Sequence, residues 1–423
     1  MQVLTELSNK TKYIHFFYLA LSIRLIYFIF ANITNINPTD CCDWGRYDQL
    51  SSQILNGNFN LDAGAFIAAP FFPFFVSLIK HLSNDYAIVI IQLIQIVISS
   101  FSVFILVKSS NLIFKNNQIS IIVGLLFSFY PFTFWYVIYL GQETFFQSFL
   151  ILCIYYLLKF FENKKTFDLI IFSLTFTLAI LTKSHLLLFV PFLLIMFLIK
   201  SKNIINAFKN ISLFFTILIL LNAPFSINNY IYNGYHILST TGYGFHFLVG
   251  HNDQFYKMVT NPPGKETQEY KDIWGMNYKV LNQTKEKNKN LNNKELDKKR
   301  LIKGIDWILE DKLKSTHLLF INAKNFIQPG FNRLHHSDLK WFFSFLISLP
   351  ILIFAYFGIA KNIFSDFKNH LIIISLFLTM LLFSSIFYSQ NRFRVITIEP
   401  FYVIYASYSL YKLYNYFKKR KII

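Results

Sequence analysis

Charged residues are scarce in this sequence. They make up 15% of its 423 residues, against about 25% in an ordinary soluble domain, whereas 54% of the residues are hydrophobic and 19% are aromatic. A chain with so few charges cannot cover a water-facing surface. This composition excludes a soluble globular enzyme and predicts a protein that folds in lipid.

Cysteine, glycine and proline are also few. The three cysteines, Cys41, Cys42 and Cys153, form neither a disulfide framework nor a Cys-x-x-Cys metal motif, so redox chemistry is not expected. The 14 glycines and 11 prolines follow no period, which excludes collagen-like and low-complexity chains.

Long apolar runs account for most of the sequence. A transmembrane helix needs about 20 apolar residues to cross roughly 30 Å of hydrocarbon. The sequence therefore predicts an all-α polytopic membrane protein with about ten transmembrane helices, at residues 13–31, 86–107, 119–139, 143–161, 167–181, 184–199, 211–227, 341–360, 370–389 and 394–411. The fifth and sixth runs leave two alternatives open, a tight hairpin or one long buried segment.

Basic residues are distributed unequally between the two sides of the membrane. Alternate short connections and both tails carry 17 basic and four acidic residues, which predicts that they face the cytoplasm. The long segment 228–340 and the first loop 32–85 then lie outside. We divide the chain into 1–227, a transmembrane module with the first loop, 228–340, the long outer loop, and 341–423, the last helices and a basic tail. The net charge of +18 indicates topology and attraction to anionic lipid, and predicts no nucleic-acid partner.

Both outer loops contain helical patterns that predict interfacial helices. In the first loop a short helix is expected from Asp43 to a stop at Gly57, with Asp43, Arg46 and Tyr47 on one face. Spacing alone leaves Asp43 either a helix-capping residue or a functional carboxylate. In the long loop, the Lys- and Asn-rich stretch 282–300 is expected to be mobile, and an amphipathic helix follows it.

The order of short motifs resembles the C-type glycosyltransferases, which use polyprenyl-phosphate sugars, in particular glycosyltransferase family 39 and the aminoarabinose-transferase-like group. The motifs are Asp43-x-x-Arg46-Tyr47, Pro70-x-x-Pro73, Leu181-Thr182-Lys183, Ser239-Thr240-Thr241-Gly242 to Gly250-His251-Asn252, and Asn391-Arg392-Phe393-Arg394 to Glu399-Pro400. Two positions depart from the pattern. Trp44 stands where many relatives have a second acidic residue, and Ala68-Ala69-Pro70 stands where aminoarabinose-transferase-like members often have Glu-Lys-Pro. The sugar and the acceptor used by these families therefore cannot be assigned to this chain.

The resemblance implies transfer of a sugar from a polyprenyl phosphate to an acceptor on the outer face, with inversion. Asp43 is the expected general base, because a phosphate leaves as a stabilised anion and one carboxylate then suffices. The donor phosphate is expected to contact Arg392, Arg394, Lys183 and Arg46, since basic side chains, Arg above all, suit phosphate oxygens. Other candidates for substrate binding are Tyr47, Glu143, His246, His251 and Asn252.

The expected partners are the polyprenyl-phosphate sugar donor, membrane lipids and a lipid, protein or polysaccharide acceptor. No metal ligands are predicted and no cofactor is established, while a divalent cation stays open. Few cysteines and a biased composition favour a bacterial cytoplasmic membrane, with the active site on the extracytoplasmic face.

Each candidate also has a structural interpretation. Arg392, Arg394 and Lys183 could anchor helix ends at lipid headgroups, and Glu143 could stabilise a helix N-terminus. For the whole protein, a lipid-linked glycan transporter or flippase and a glycan polymerase or ligase stay open as alternatives. A transporter predicts charges near span centres and broken helices.

Overall fold

The computed structural model describes residues 12–39, 42–63, 66–261, 267–288, 290–331 and 337–420. The regular structure of these residues is helical, with short 3-10 turns, which confirms the predicted all-α class. In chain order the first nine helices are α1 (Ile14–Ile33), α2 (Cys42–Leu55), α3 (Phe71–Ser83), α4 (Ala87–Phe114), α5 (Asn117–Phe129), α6 (Glu143–Asn163), α7 (Thr166–Thr182), α8 (Val190–Lys200) and α9 (Ile204–Asn233). They are followed by α10 (Tyr243–Gly250), α11 (Asp253–Thr260), α12 (Gln268–Glu286), α13 (Asn293–Glu310), α14 (Lys312–Ile327), α15 (Asp338–Ile386), α16 (Asn391–Thr397) and α17 (Glu399–Lys419).

Apolar helices of membrane-spanning length confirm a multi-pass membrane protein. Among the described residues, five helices are long and apolar enough to cross a bilayer: α1, α4, α6, α9 and the first part of α15, Asp338–Phe364. Shorter apolar helices accompany them at Phe71–Ser83, Asn117–Phe129, Thr166–Thr182, Ser184–Lys200 and His370–Ile386. The backbone of α15 is broken at Asp366, where two helices meet at a kink. The count of ten spans stays a prediction.

The stretch 167–199 forms a hairpin, which decides between the two alternatives. Lys183 has an extended backbone and ends α7, and a 3-10 turn at Ser184–Phe189 leads into α8. Before the start of α7, Lys164 Nζ donates to the carbonyl oxygen of Lys200 at the end of α8, at 2.7 Å. The start of α7 therefore lies beside the end of α8, as in a hairpin.

Two predicted spans are wrong in their bounds because proline interrupts them. The run 119–139 is helical only to Phe129, and 3-10 turns at Pro131–Thr133 and Trp135–Ile138 follow. Gln92 and Gln95 of α4 satisfy carbonyl groups of these turns, as lipid surroundings require. The run 394–411 is likewise divided between α16 and α17, where Pro400 lies in the first turn of α17.

The expectation that 282–300 is mobile is wrong for most of the stretch. α12 extends to Glu286, and α13 begins at Asn293 with a capping box in which Asn292 and Glu295 each bond the other's backbone N–H. The amphipathic helix expected after it is divided at Asp311, whose side chain caps α14. Both outer loops thus carry helices, as the predicted fold class has them.

The membrane core forms where α6 packs on α4 and α7, and where α15 packs on α17. Arg24 lies near the middle of α1, where α1 packs on α4, and is fully buried. Its Nε donates to Ser99 Oγ on α4 at 2.8 Å, so the guanidinium joins the two helices. The N-terminus of α6, the C-terminus of α7 and α16 lie close to the first outer loop, and side chains meet there.

Candidate active site

Asp43 lies in the first turn of α2 and faces two guanidinium groups. Its Oδ2 accepts a hydrogen bond from Arg392 Nη1 at 2.7 Å, and its Oδ1 lies 3.6 Å from Arg46 Nη1. Arg392 is 349 positions away in the chain. The carboxylate side chain is 33% exposed, so a ligand can reach it.

The apolar face of α2 holds Asp43 in place. We expected Tyr47, Leu50, Ile54 and Leu55 to form one apolar stripe; the first three are buried, whereas Leu55 at the helix end is exposed. The Tyr47 ring packs edge-on against Phe72 of α3 at 5.2 Å. The helix ends at Leu55, and Gly57 follows with φ +81°, a conformation that favours glycine. The packed face therefore orients the polar face of α2 toward α6, α7 and α16.

A second ion pair lies beside the first. Lys183 Nζ donates to Glu143 Oε1 at 3.0 Å, and both side chains are more than nine-tenths buried. Arg392 Nη1 is 4.0 Å from the same Glu143 oxygen, so Arg392 faces two carboxylates. Many relatives have a second acidic residue at the position of Trp44. In this chain Glu143, at the N-terminus of α6, supplies a second carboxylate at the site.

Gln142 bridges Tyr47 of α2 and Lys183 of the second ion pair, and it was missed by the sequence reasoning. With its amide oxygen turned toward the donors, it accepts from the Tyr47 hydroxyl at 2.6 Å and from Lys183 Nζ at 3.1 Å. Gly141 provides the space for this packing, because a Cβ there would lie 2.5 Å from Glu143 Oε2 and 2.7 Å from Trp44 Nε1. A lone Gln before a helix carries no recognisable motif.

His246 of the long loop and Tyr388 of the link between α15 and α16 form another side of the site. The Tyr388 hydroxyl lies 3.4 Å from His246 Nδ1, and the His246 ring packs 5.6 Å from Phe66. Asp297 of α13 accepts from the backbone N–H groups of Gly242 and Phe245, which fixes the start of α10 and so His246. Tyr388 was also missed, since it lies in the link between α15 and α16.

Burial and charge set the protonation of these groups. Burial raises the pKa of the Asp43 carboxyl, but the positive charges of Arg392, Lys183 and Arg46 outweigh it and bring that pKa to about 2. Burial, assisted by the charge of Arg392, lowers the pKa of His246 to about 4. At neutral pH Asp43 is therefore ionised and His246 is neutral.

Three predicted site residues lie elsewhere. Arg394 is buried and its Nε donates to Glu399 Oε1 at 2.7 Å, while its Nη1 bonds the carbonyl groups of Phe326 and Gln328 at the end of α14. His251 bonds the Phe247 carbonyl at 2.9 Å and stacks on its ring. Asn252 caps α11 and donates to Asn277 at 2.8 Å. These contacts hold helices together and do not bring the three residues to Asp43.

The described residues around Asp43 do not fit a divalent-cation site. Among the described residues, no group of three or more His, Cys, Asp or Glu is placed to hold a metal. The neighbours of Asp43 are the cations Arg46, Lys183 and Arg392, and Glu143 is engaged by Lys183. Three basic and two acidic side chains leave one positive charge in excess, which suits a monoanionic ligand.

Comparison with known proteins identifies the class to which this fold belongs. Residues 68–227, less than half of the chain, match the family model described as dolichyl-phosphate-mannose-protein mannosyltransferase. A search of curated proteins finds no match.

Solved structures of an archaeal oligosaccharyltransferase, AglB from Archaeoglobus fulgidus, share the fold. The complex with an inhibitory peptide and a dolichol-phosphate has a TM-score of 0.52 at 12% identity, covering 96% of this chain and 51% of that chain. The apo form has a TM-score of 0.56 at 11% identity, covering 98% and 52%. The form tethered to an acceptor peptide that contains the NVT sequon has a TM-score of 0.57 at 12% identity, covering 99% and 51%.

The chain therefore has the fold of the C-type glycosyltransferases, and the resemblance seen in its motifs is confirmed. It spans about half the length of the archaeal structures it matches.

Proposed function

We propose that this protein transfers a sugar from a polyprenyl-phosphate carrier to an acceptor, with inversion at the sugar and Asp43 as the general base. The observation that carries the proposal is the contact of Asp43 with Arg392, beside Lys183, on one side of a C-type glycosyltransferase fold. A base and the cations for a leaving phosphate thus lie within one group of side chains. The family match and the shared fold support a lipid-linked donor.

The leaving phosphate accounts for the charge of the site. A polyprenyl-phosphate sugar is a phosphodiester with one negative charge, and the site has one positive charge in excess among Arg46, Lys183, Arg392, Asp43 and Glu143. Arg392 and Lys183 are the proposed phosphate contacts, because both face the space near Asp43. Arg394 is not included, because Glu399 and carbonyl groups engage it.

The reaction requires one bond to form and one to break. The acceptor oxygen forms a bond to the anomeric carbon, and its proton moves to the Asp43 carboxylate. The bond between the anomeric carbon and the phosphate oxygen breaks, and its electron pair stays on that oxygen. The product, polyprenyl phosphate, gains negative charge, which the cations stabilise. Attack opposite the leaving group inverts the anomeric configuration.

The site is proposed to face the extracytoplasmic side of a bacterial cytoplasmic membrane. The basic short connections predict the cytoplasmic side, and Asn163 at the end of α6 lies at the opposite end of that helix from Glu143. Donor and acceptor would then meet at the outer surface, where the lipid carrier presents its sugar. The sugar itself, hexose or pentose, is set by contacts that the family resemblance does not carry over.

Glycan mass spectrometry of source cells tests this function. Cells without the gene are expected to lack one sugar on a lipid, protein or polysaccharide. The parent gene restores that sugar, whereas the gene with Asp43→Asn does not. Glycans that are identical with and without the gene would contradict the proposal, and the sugar that disappears would identify the donor.

A further inference from the structure

The contact between Asp43 and Arg392 makes each residue less available for its proposed role. Both oxygens of Asp43 face guanidinium groups, one from Arg392 at 2.7 Å and one from Arg46 at 3.6 Å. A carboxylate held by two cations accepts an acceptor's proton poorly. Arg392 in turn directs Nη1 to a carboxylate, the kind of anion with which a phosphate would compete.

Arg392 nevertheless has unused capacity to bind an anion. The contact to Asp43 uses one nitrogen, Nη1, and not the two-pronged geometry that a guanidinium favours with carboxylates and phosphates. Arg392 Nε is buried and has no hydrogen-bond partner. The side chain as a whole is 31% exposed, so a ligand can reach it. This buried donor has no partner and lies next to an accessible surface. We therefore expect a ligand to supply the missing acceptor atom.

Arg392 is less tightly enclosed than the neighbouring cation, Lys183. Lys183 and Glu143 are 8% and 3% exposed and are joined at 3.0 Å, so their positions are set by packing. Arg392 is more exposed, and its distance to Glu143 Oε1 is 4.0 Å, longer than a hydrogen bond. Glu143 can keep Arg392 near the site when it leaves Asp43.

From this arrangement we propose that the donor's phosphate takes Arg392 from Asp43, so that donor binding frees the base before the acceptor reacts. This inference rests on the proposed function and adds an order of events to it: the donor binds first, and Asp43 then becomes available to the acceptor. In the free protein Arg392 is hydrogen-bonded to Asp43. In the donor complex the phosphate oxygens occupy Arg392, including its Nε, and Asp43 keeps only the weaker contact with Arg46. No covalent bond changes in this step, because only a hydrogen-bonded ion pair is exchanged.

The proposal predicts competition between the carboxylate and a phosphate for one guanidinium. If Asp43 holds Arg392 back, then Asp43→Asn should tighten the binding of undecaprenyl phosphate by about tenfold, the size expected for one charge-assisted hydrogen bond. Asp43→Asn also removes a negative charge, which would favour any anion. The two effects are separated by repeating the substitution with Arg392→Gln already present.

The experiment is a thermodynamic cycle on the full chain in lipid nanodiscs. Undecaprenyl phosphate is titrated against the parent, Asp43→Asn, Arg392→Gln and the double variant, and undecaprenol, which has no phosphate, is the matched ligand. Asp48→Asn is the matched variant, because Asp48 lies on the same helix as Asp43 and pairs with Lys80 of α3 at 2.7 Å. The expected result is a tightening by Asp43→Asn that is clearly larger in the parent than in the Arg392→Gln background, where only the effect of the lost charge remains, with no change for Asp48→Asn.

Two kinds of result would overturn the exchange. If Asp43→Asn changes the affinity by the same factor in both backgrounds, or leaves it unchanged, then Asp43 and the phosphate do not compete for Arg392. The proposed function then survives, but donor binding does not free the base. If the parent does not bind undecaprenyl phosphate more tightly than undecaprenol, the phosphate site itself is absent, and the proposed function fails with the exchange.

Discussion

Lys183 and Glu143 form an ion pair of 3.0 Å between the C-terminus of α7 and the N-terminus of α6, with both side chains more than nine-tenths buried. Removing one member of such a pair leaves the other charge buried without compensation. The pair therefore fixes the relative position of two apolar helices at the level of Asp43, and it holds Lys183 at the proposed phosphate site.

Neutralising Glu143 should destabilise the protein. Glu143→Gln leaves Lys183 buried and unpaired, and we expect a loss of about 3 to 5 kcal/mol in the free energy of unfolding. The control is Glu162→Gln, because Glu162 pairs with Lys115 at the surface and such pairs contribute about 0 to 1 kcal/mol. Thermal unfolding in detergent compares the two. Equal, small effects would show that the Glu143 pair is not structural.

The two arginines of Asn391-Arg392-Phe393-Arg394 should behave differently. Arg392→Ala should weaken the binding of undecaprenyl phosphate by about 10- to 100-fold, since a charged hydrogen-bond donor is lost, and Arg392→Lys should weaken it less. Arg394→Ala should instead lower thermal stability, because it leaves Glu399 buried without its partner. Weaker phosphate binding by Arg394→Ala in a protein of parental stability would return Arg394 to the donor site.

His246 should make stability depend on pH. Its pKa is lowered to about 4, while an unfolded histidine titrates near about 6.5, so the unfolded chain binds the proton first as the pH falls. The stabilisation is present above about pH 6.5 and is lost between there and about pH 4. His246→Asn should lose less stability than the parent between these pH values, as followed by thermal unfolding. If the parent and His246→Asn lost stability equally over this pH range, His246 would be exposed to water and its pKa would not be lowered.

Cysteine labelling tests the side of the membrane. In a background without Cys41, Cys42 and Cys153, Asn163→Cys and Asn369→Cys should be protected from an impermeant thiol reagent in intact cells, whereas Asn290→Cys should react. The reason is that the basic short connections are expected to stay in the cytoplasm. Labelling of Asn163→Cys in intact cells would reverse the topology and move the site to the inner face.

Most of the helices were predictable from the sequence, because long apolar runs in lipid must satisfy their own backbone hydrogen bonds. Their ends were less so. Pro131 ended α5 at Phe129 although apolar residues continue beyond it, and the capping box of Asn292 and Glu295 began a helix in a stretch that composition alone marked as mobile. Local polar signals decided the structure in both places.

The members of the site were predictable only in part. Spacing placed Asp43 and Arg46 on one face, but it could not say which arginine of α16 reaches Asp43. Side chains two positions apart on a helix point in directions that differ by about 200°. Arg392 and Arg394 therefore face different surroundings. Only the packing of α16 against α2 and α14 decides which is which. Gln142 and Tyr388 lie in connections, where no periodic pattern marks them.

The central claim is that Asp43 removes the acceptor's proton, and the transfer rate of Asp43→Asn tests it most directly. Membranes of source cells supply donor and acceptor, and the measurement is the rate at which labelled sugar moves from the lipid-phosphate pool to the acceptor fraction. We expect Asp43→Asn to fold normally and to lose activity on the order of 100- to 10,000-fold, while Asp48→Asn keeps the parental rate. A folded Asp43→Asn protein that transfers sugar at nearly the parental rate would contradict the account.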